Sequence, residues 1–209
     1  MNELAALAKV DPLQFRVNNM STPRLLAVID QLKTASGGES RPSPSPKAST
    51  TGSDPIVGQG CSLMLRSNAY WGCVAKVTVV PKTGRVRVTN VTTVVEPGIV
   101  INPRQMQRIA EGGTVMGVSE ALTEQVVFNK SKITSADWVT FPILRMRDMP
   151  DINVIVVNNP SVGAYAGAGE GPNGFVQAAI ASAVFDATGK QPRQLPLLPK
   201  YIRSLLAAK

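Results

Sequence analysis

The chain has 209 residues, with 22 lysines and arginines against 14 aspartates and glutamates, a formal net charge of +8 and no histidine. With 44% hydrophobic and 17% charged residues, this length is typical of one or two folded domains and excludes a chain disordered throughout. The absence of histidine excludes the Ser-His-Asp triad, the Cys-His dyad and the common zinc sites.

The sequence has no apolar run approaching the roughly 18–20 residues that span a bilayer, so we expect no membrane span. Its first residues, Met1–Leu4, include an acid and lack the basic-then-apolar block of a secretory signal, which favours a cytoplasmic location. The basic residues are scattered and aromatic residues make up only 5%, so we expect no nucleic-acid partner. The positive charge indicates a solvated face or a surface that meets an acidic partner subunit.

The N-terminal part, residues 1–35, predicts two or three short helices. Glu3–Val10 is rich in alanine and leucine, and Asp11-Pro12 and Thr22-Pro23 each pair an N-cap residue with proline at the first helical position. Residues 36–56 are rich in glycine, proline and serine and predict a flexible linker that crosses a surface between two lobes.

The remaining part, residues 57–209, predicts strands followed by helices. The predicted elements are strands at Cys61–Arg66, Gly72–Val80 and Arg85–Val95, a helix from Asn102-Pro103 to about Glu124, a hairpin of Val126–Phe128 with Lys132–Thr134, a strand at Ile152–Val157, and helices at Phe175–Thr188 and Lys200–Ala207. Gly112-Gly113 fall inside a helix, at a local cost of about 1 kcal/mol each relative to alanine. Two adjacent glycines there indicate close approach by a backbone or a ligand.

The two cysteines, Cys61 and Cys73, lie in sequence that predicts strands and form no C-x-x-C motif. Two cysteines cannot make a disulfide framework or close a metal site. We therefore predict two reduced, partly buried thiols, with a disulfide between them as the alternative.

The stretch Gly163–Gly174 precedes an apolar helix and is the richest in glycine. Glycines let a backbone approach a ligand closely, and the start of the next helix offers unpaired N–H groups to an anion. Glu170, in its middle, is either a general base or an exposed loop acid. Gly169, Gly171 and Gly174 also satisfy G-x-G-x-x-G, but no strand ends directly before them and only a proline-rich tail follows the helix, which argues against a dinucleotide site.

An ordered set of segments carries a resemblance to a known family. The segments are Glu3-Leu4-Ala5, Asp11–Arg16, Asn102-Pro103, Glu111-Gly112-Gly113, Met116-Gly117, Trp138–Met146, Gly167–Glu170 and Ala178–Gly189. Their order and spacing resemble the C-terminal part of the molybdopterin-binding large subunit of the xanthine dehydrogenase and aldehyde oxidase family. We therefore expect an α+β fold, with a mixed sheet flanked by helices, that forms part of a molybdenum-cofactor-binding domain over residues 57–209.

The resemblance implies a set of site residues. It makes Glu170 the catalytic base, which faces the molybdenum, and it assigns no side chain of this chain as a metal ligand. The residues that it implies at the molybdopterin cofactor are Gly112, Gly113, Gly167, Ala168 and Gly169.

The resemblance also implies a reaction and partners. The family oxidises aldehydes or N-heterocycles with oxygen derived from water and passes the electrons to iron–sulfur clusters, usually on a partner chain. The implied cofactor is molybdopterin, in its plain or cytosine dinucleotide form. The implied partners are the remaining part of the large subunit, an iron–sulfur subunit and a small-molecule substrate.

The sequence departs from the family pattern at several points. The family subunit is several times longer, Ile109 stands where the family usually has a glutamine that helps hold the pterin, and Gly171–Asn173 differ from the usual residues. Two functions therefore remain open: a catalytic part that supplies Glu170 to a shared site, or a non-catalytic truncated or scaffold subunit that binds sister subunits without cofactor. We expect a large exposed apolar surface where the missing part of the subunit would dock, and therefore poor solubility of the isolated chain.

Overall fold

The computed structural model describes residues 1–46 and 51–207, and residues 47–50 of the predicted linker lie outside that range. The elements are α1 (Asn2–Leu7), α2 (Pro12–Asn18), α3 (Pro23–Ala35), β1 (Ile56–Arg66), β2 (Ala69–Val80), β3 (Arg85–Glu96), α4 (Pro103–Leu122), β4 (Asp151–Val156), α5 (Val176–Thr188) and α6 (Pro199–Ala207). The predicted α+β fold is confirmed, and apart from a predicted hairpin each predicted strand and helix is present, with ends shifted by up to five residues. The predicted hairpin after α4 is a single bridge between Phe128 and Ile133.

The sheet has four strands in the order β1-β2-β3-β4. The first three pair antiparallel, and β4 runs parallel to β3, which makes the sheet mixed as predicted. The pairing of β4 begins with Asp151 opposite Asn90. Pro150, directly before it, has no N–H group to donate to a ladder. Residues 85–89 of β3 therefore extend beyond β4.

Helices cover both faces of the sheet. The larger core lies between the sheet and α4, α5 and α6, and includes Trp71, Val88 and Ile180. The smaller core lies under α3, where Ile29 and Leu32 pack against alternate residues of the strands. Each face is thus supplied by one of the two side-chain rows of the same strands.

Helix α5 lies directly on the backbone of β1. A Cβ atom added at Gly58 would be 2.7 Å from the Ala187 nitrogen, and one added at Gly60 would be 2.7 Å from the Ser182 carbonyl carbon. The atoms opposite these two glycines are helix backbone, so no side chain can turn aside to make room. Glycine is what allows this helix to approach the strand so closely.

Residues 36–46, which we call the edge strap, lie along the outer edge of β1. Arg41 donates two hydrogen bonds of 2.8 Å to the carboxylate of Asp186, which is fully buried on α5, and this partner raises the pKa of the Arg41 guanidinium. The same carboxylate accepts from the backbone N–H of Gln59 at 2.9 Å, and Asn2 donates to the carbonyl of Cys61 at 3.0 Å. Two backbone groups in the middle of β1, the Gln59 N–H and the Cys61 carbonyl, are therefore paired with side chains.

The two cysteines are buried free thiols on opposite faces of the sheet. Cys73 pairs across the ladder with Ser62, so Cys61, one residue earlier, points to the other face. Cys61 packs in the core under α3 and Cys73 in the core under α5. The prediction of reduced thiols is confirmed, and the alternative disulfide is excluded by this register.

We expect both thiols to resist modification while the chain is folded. Burial raises the pKa of Cys61 to about 11 and that of Cys73 to about 12, so neither is a thiolate near neutral pH. A thiol with a raised pKa stabilises the fold below its unfolded pKa of about 8.5, and this contribution is lost as the pH rises toward the folded value. Ellman's reagent at pH 8 should react only after urea is added. Rapid reaction of the native chain would contradict this burial.

Candidate functional site

The glycine-rich loop between β4 and α5 is tied to the connection between β3 and α4. Ile99 donates its N–H to the carbonyl of Ala164 at 2.9 Å, and Asn159 donates to the carbonyl of Gly98 at 2.8 Å. Gly98 has a φ of +83°, and a Cβ atom there would collide with the Ala164 carbonyl oxygen. These bonds hold the loop next to the start of α4.

A groove of about 170 Å³ lies between this loop and the first turns of α4. Ile101, Met106 and Ile109 line one side, and Tyr165, Ala168 and Gly169 line the other. Ile109, which departs from the family pattern, thus shares a groove with two of the predicted cofactor-binding residues.

The predicted cofactor-binding loop presents its backbone to solvent. Ala168 is only 8% exposed and packs at the margin of the larger core. Its neighbours Gly167 and Gly169 are exposed, and a Cβ atom at either would meet nothing within 4 Å. Among the described residues, no group accepts a hydrogen bond from the N–H groups of residues 167–169. The loop is therefore anchored at Ala168, with free donors on both sides.

Glu170, the predicted base, is also a solvent-facing residue. Its side chain is 71% exposed and pairs with Arg66 at the end of β1, which is 51% exposed. The apolar helix that follows does not shield the carboxylate, because Gly171 turns the chain inward first. Exposed ion pairs contribute about 0–1 kcal/mol, so this one can be exchanged for a ligand at little cost.

Gly171 holds the end of the loop against the core. A Cβ atom at this position would be 2.7 Å from the Trp71 ring atom Cδ2, so only glycine lets the backbone lie on that ring. Trp71 is fully buried. The position of Glu170 is therefore set by the packed Gly171 that follows it, whereas Gly169, which precedes it, has free space around it.

The two glycines in α4 have different surroundings. Gly113 is buried, and a Cβ atom there would be 2.9 Å from Oδ1 of Asn173, so the close approach predicted from the sequence is present. Gly112 is exposed, and a Cβ atom there would meet nothing within 4 Å. Oδ1 of Asn173 is itself buried and accepts no hydrogen bond within the described chain.

Sequence reasoning missed several residues of this site. Arg66 lies far from Glu170 along the chain, and no local pattern connects the two. Asn173 was noted only as a departure from the family pattern. Tyr165 is exposed within the glycine-rich run, and an exposed aromatic residue among glycines is a signal that could have identified it.

Residues 126–146 expose many large apolar side chains, in line with the expected apolar surface. They are Val126, Val127, Phe128, Ile133, Trp138, Val139, Ile143 and Met146. Across the described ranges, no helix is long and apolar enough to cross a bilayer. The same ranges contain no cluster of three cysteine or acidic side chains placed to hold a metal ion.

Comparisons with known proteins agree on one family. Residues 26–150 match the sequence model of a family described as molybdopterin cofactor-binding domain. The chain is 32% identical to a subunit of nicotinate dehydrogenase from Pseudomonas putida over 99% of its own length and 18% of that protein. It is 28% identical to the beta subunit of isoquinoline 1-oxidoreductase from Brevundimonas diminuta over 95% of its length and 24% of that protein.

Solved structures give the same picture. The fold matches quinoline 2-oxidoreductase from Pseudomonas putida 86 with a TM-score of 0.62 and 26% identity, over 66% of this chain and 19% of that one. It matches the aldehyde oxidoreductase from Desulfovibrio gigas with a TM-score of 0.59 and 27% identity, over 67% of this chain and 16% of that one. The chain thus spans about a quarter or less of each of these four proteins.

Proposed function

The chain belongs to the molybdopterin cofactor-binding domain family, and from this premise we propose that it is part of the large subunit of a molybdenum-dependent hydroxylase. The observation that carries the proposal is the open loop of residues 167–169, with unpaired N–H groups, next to Glu170 and to the groove along α4. The relatives named for nicotinate, isoquinoline and aldehydes support an aldehyde or an N-heterocycle as the substrate class.

The residues of this site fit a molybdopterin cofactor. A phosphorylated pterin needs backbone donors and a close approach, and Gly167, Ala168 and Gly169 offer both. Gly112 leaves open space on the facing helix, and the unpaired Oδ1 of Asn173, next to Gly113, can accept a hydrogen bond. The cofactor, with or without a cytosine nucleotide, supplies a metal centre that takes up two electrons from the substrate.

In this proposal Glu170 acts as the general base. Its carboxylate accepts the proton lost by the water-derived oxygen as that oxygen is transferred to the substrate carbon. Arg66 holds the carboxylate at the mouth of the site when it is not engaged, and Gly171 fixes the backbone behind it. Electrons then leave through iron–sulfur clusters on a partner chain, and the enzyme works in the cytoplasm with the remaining part of the large subunit.

One observation favours a second function. Ile109 gives the groove an apolar side chain next to Gly169, where the family resemblance calls for a glutamine that holds the pterin. A groove with this substitution can pack against a sister subunit without cofactor. The alternative is therefore a non-catalytic scaffold subunit that keeps the fold.

Purification from native cells separates the two functions. The chain is isolated with its bound partners, and molybdenum content and partner masses are measured on the same sample. Molybdenum together with a second large chain and an iron–sulfur subunit supports the hydroxylase. A stoichiometric partner without molybdenum supports the scaffold, and neither metal nor partner contradicts both.

Gly112→Ala should separate folding from cofactor binding. Because Gly112 is exposed in the middle of α4 with free space around it, alanine should raise the free energy of unfolding by about 1 kcal/mol. The same methyl group enters the space offered to the cofactor, so the molybdenum content of the complex should fall.

Thr34→Ala is the matched control, since Thr34 is an exposed helical position in α3 on the other side of the sheet. It should leave the molybdenum content unchanged. Urea unfolding and metal analysis measure the two effects. Full metal loading of the Gly112→Ala complex would remove Gly112 from the cofactor contacts.

A further inference from the structure

A second groove, of about 320 Å³, lies at the start of β3. Its floor is apolar and comes from four separate parts of the chain: Val86 on β3, Leu122 at the end of α4, Leu144 in the segment before β4, and Leu197 before α6. Leu197 is held there by a 2.7 Å bond from its N–H to the carbonyl of Ala121. None of the residues proposed for the cofactor lines this groove.

The groove runs along the edge of β3 and not along one of its faces. Three consecutive residues, Arg85, Val86 and Arg87, line it, although successive side chains of a strand point to opposite faces. Residues 85–88 pair with β2 on one side, and β4 pairs only from Asn90 onward. In the part of the chain that the structure describes, the other edge of residues 85–89 has no strand beside it. Arg85 donates its N–H to the Thr83 hydroxyl at 3.3 Å, and residues 86–89 have no backbone partner on that edge within the described residues. Such an edge is a template for another strand.

Four arginines surround this edge: Arg85, Arg87, Arg145 and Arg147. The one acid among the lining residues, Asp148, pairs with Arg85 and with Arg147, each at 3.3 Å. Arg87 and Arg145 form no ion pair within the described ranges. The rim therefore already holds one carboxylate and has positive charge left for others.

We propose that this groove binds an extended acidic segment of a second polypeptide, which adds as a strand along residues 85–89 of β3. In an added strand, alternate side chains face the two sides of the sheet. The side chains on one face of the added strand contact the apolar floor on the side of Val86. Those on its other face contact Arg85 and Arg87. The segment that fits is therefore one in which acidic and apolar residues alternate.

The lining residues favour a peptide over a nucleic acid. Single-stranded nucleic acids bind basic surfaces that carry aromatic side chains, on which bases stack. No aromatic residue lines this groove, and its floor is aliphatic. An aliphatic floor beside an open strand edge matches a polypeptide backbone with apolar side chains.

The probe for this test is a fluorescein-labelled heptapeptide in which glutamate and valine alternate, titrated with the full chain by fluorescence anisotropy. Replacing its glutamates by lysine should weaken binding at least about tenfold, since the arginine rim then repels it. Two further peptides carry methyl groups on one or the other alternate set of backbone nitrogens. One of these two should show a similar loss, because only one set donates main-chain hydrogen bonds to β3. Equal binding of the lysine peptide, or of both methylated peptides, would overturn the proposal.

Two single variants assign the binding to this edge. Arg87→Glu and Arg145→Glu should each weaken the acidic peptide at least about tenfold. Lys9→Glu, an equal charge change in the exposed turn after α1, should have little effect. If the acidic peptide does not bind with a Kd of about 1 mM or tighter, which corresponds to a binding free energy near −4 kcal/mol, the proposal is overturned. So would equal displacement of the peptide by a single-stranded oligonucleotide, which would indicate a general polyanion surface.

Discussion

Replacing Glu170 by glutamine should lower kcat of the assembled hydroxylase by about 10²–10⁴-fold, the range for loss of a general base. Glutamine keeps the size of the side chain and can still accept a hydrogen bond from Arg66 through its amide oxygen. It cannot take up a proton at neutral pH. Since Glu170 is exposed and joined to the fold only by an exposed ion pair, the thermal stability and the molybdenum content should stay unchanged.

Glu124→Gln provides the control, because Glu124 follows α4 and takes no part in the site. This variant should turn over substrate at the normal rate. Steady-state kinetics on both complexes, with metal analysis of each, makes the comparison. Unchanged turnover of the Glu170→Gln complex would exclude Glu170 as the base and would leave the scaffold function as the better account.

Of the variants proposed, Gly58→Ala should have the largest effect on stability, a loss of about 3 kcal/mol in the free energy of unfolding. Overfilling a packed core typically costs about 1–3 kcal/mol. Here the new methyl group meets the backbone of α5 near Ala183 and Ala187, so helix and strand must move apart as units. We place the cost at the upper end of that range for this reason.

Gly112→Ala makes the matched comparison, since the same atoms are added where space is free. The two alanine variants should shift the urea midpoint in opposite directions. A Gly58→Ala chain within about 0.5 kcal/mol of the original would show that α5 does not press on β1 as described. Because the glycine-rich loop leads directly into α5, we expect the Gly58→Ala complex also to retain less cofactor.

The local elements could be predicted because their signals are local. Asp11 caps α2 by accepting a hydrogen bond from the Gln14 N–H at 2.8 Å, and Asn102 caps α4 in the same way from Gln105 at 3.0 Å. Gly189 ends α5 in the left-handed conformation that the sequence indicated. Caps and periodicity depend on neighbours in sequence, so one chain is enough to find them.

The long-range pairings could not be predicted from the chain alone. Nothing in the pattern around Arg41 selects Asp186, and nothing around Arg66 selects Glu170. The strand order is of the same kind, since the alternation within β4 is equally compatible with either edge of the sheet. The exposure of Glu170 follows from Gly171 resting on Trp71, a contact between residues that no sequence period relates.

The family resemblance identified the candidate site. Reasoning from residue types alone pointed to the glycine-rich loop but did not decide the role of Glu170. Composition and glycine content left Glu170 as either a base or an exposed acid, and the structure shows an exposed acid beside unpaired donors. Its role as base stays a prediction. The place of Ile109 beside Gly169 required the fold, because α4 and the loop are far apart in sequence.

The side chains that pair with the edge of β1 also limit how copies of this chain can associate. A fibril grows by strand addition only if each molecule has two unpaired sheet edges, because each edge pairs with a different neighbour. On β1 the Gln59 N–H and the Cys61 carbonyl are already bonded to Asp186 and Asn2. Pairing through this part of the β1 edge would first have to break these two bonds. Self-association through the sheet is therefore favoured at the opposite edge, which β3 and β4 form.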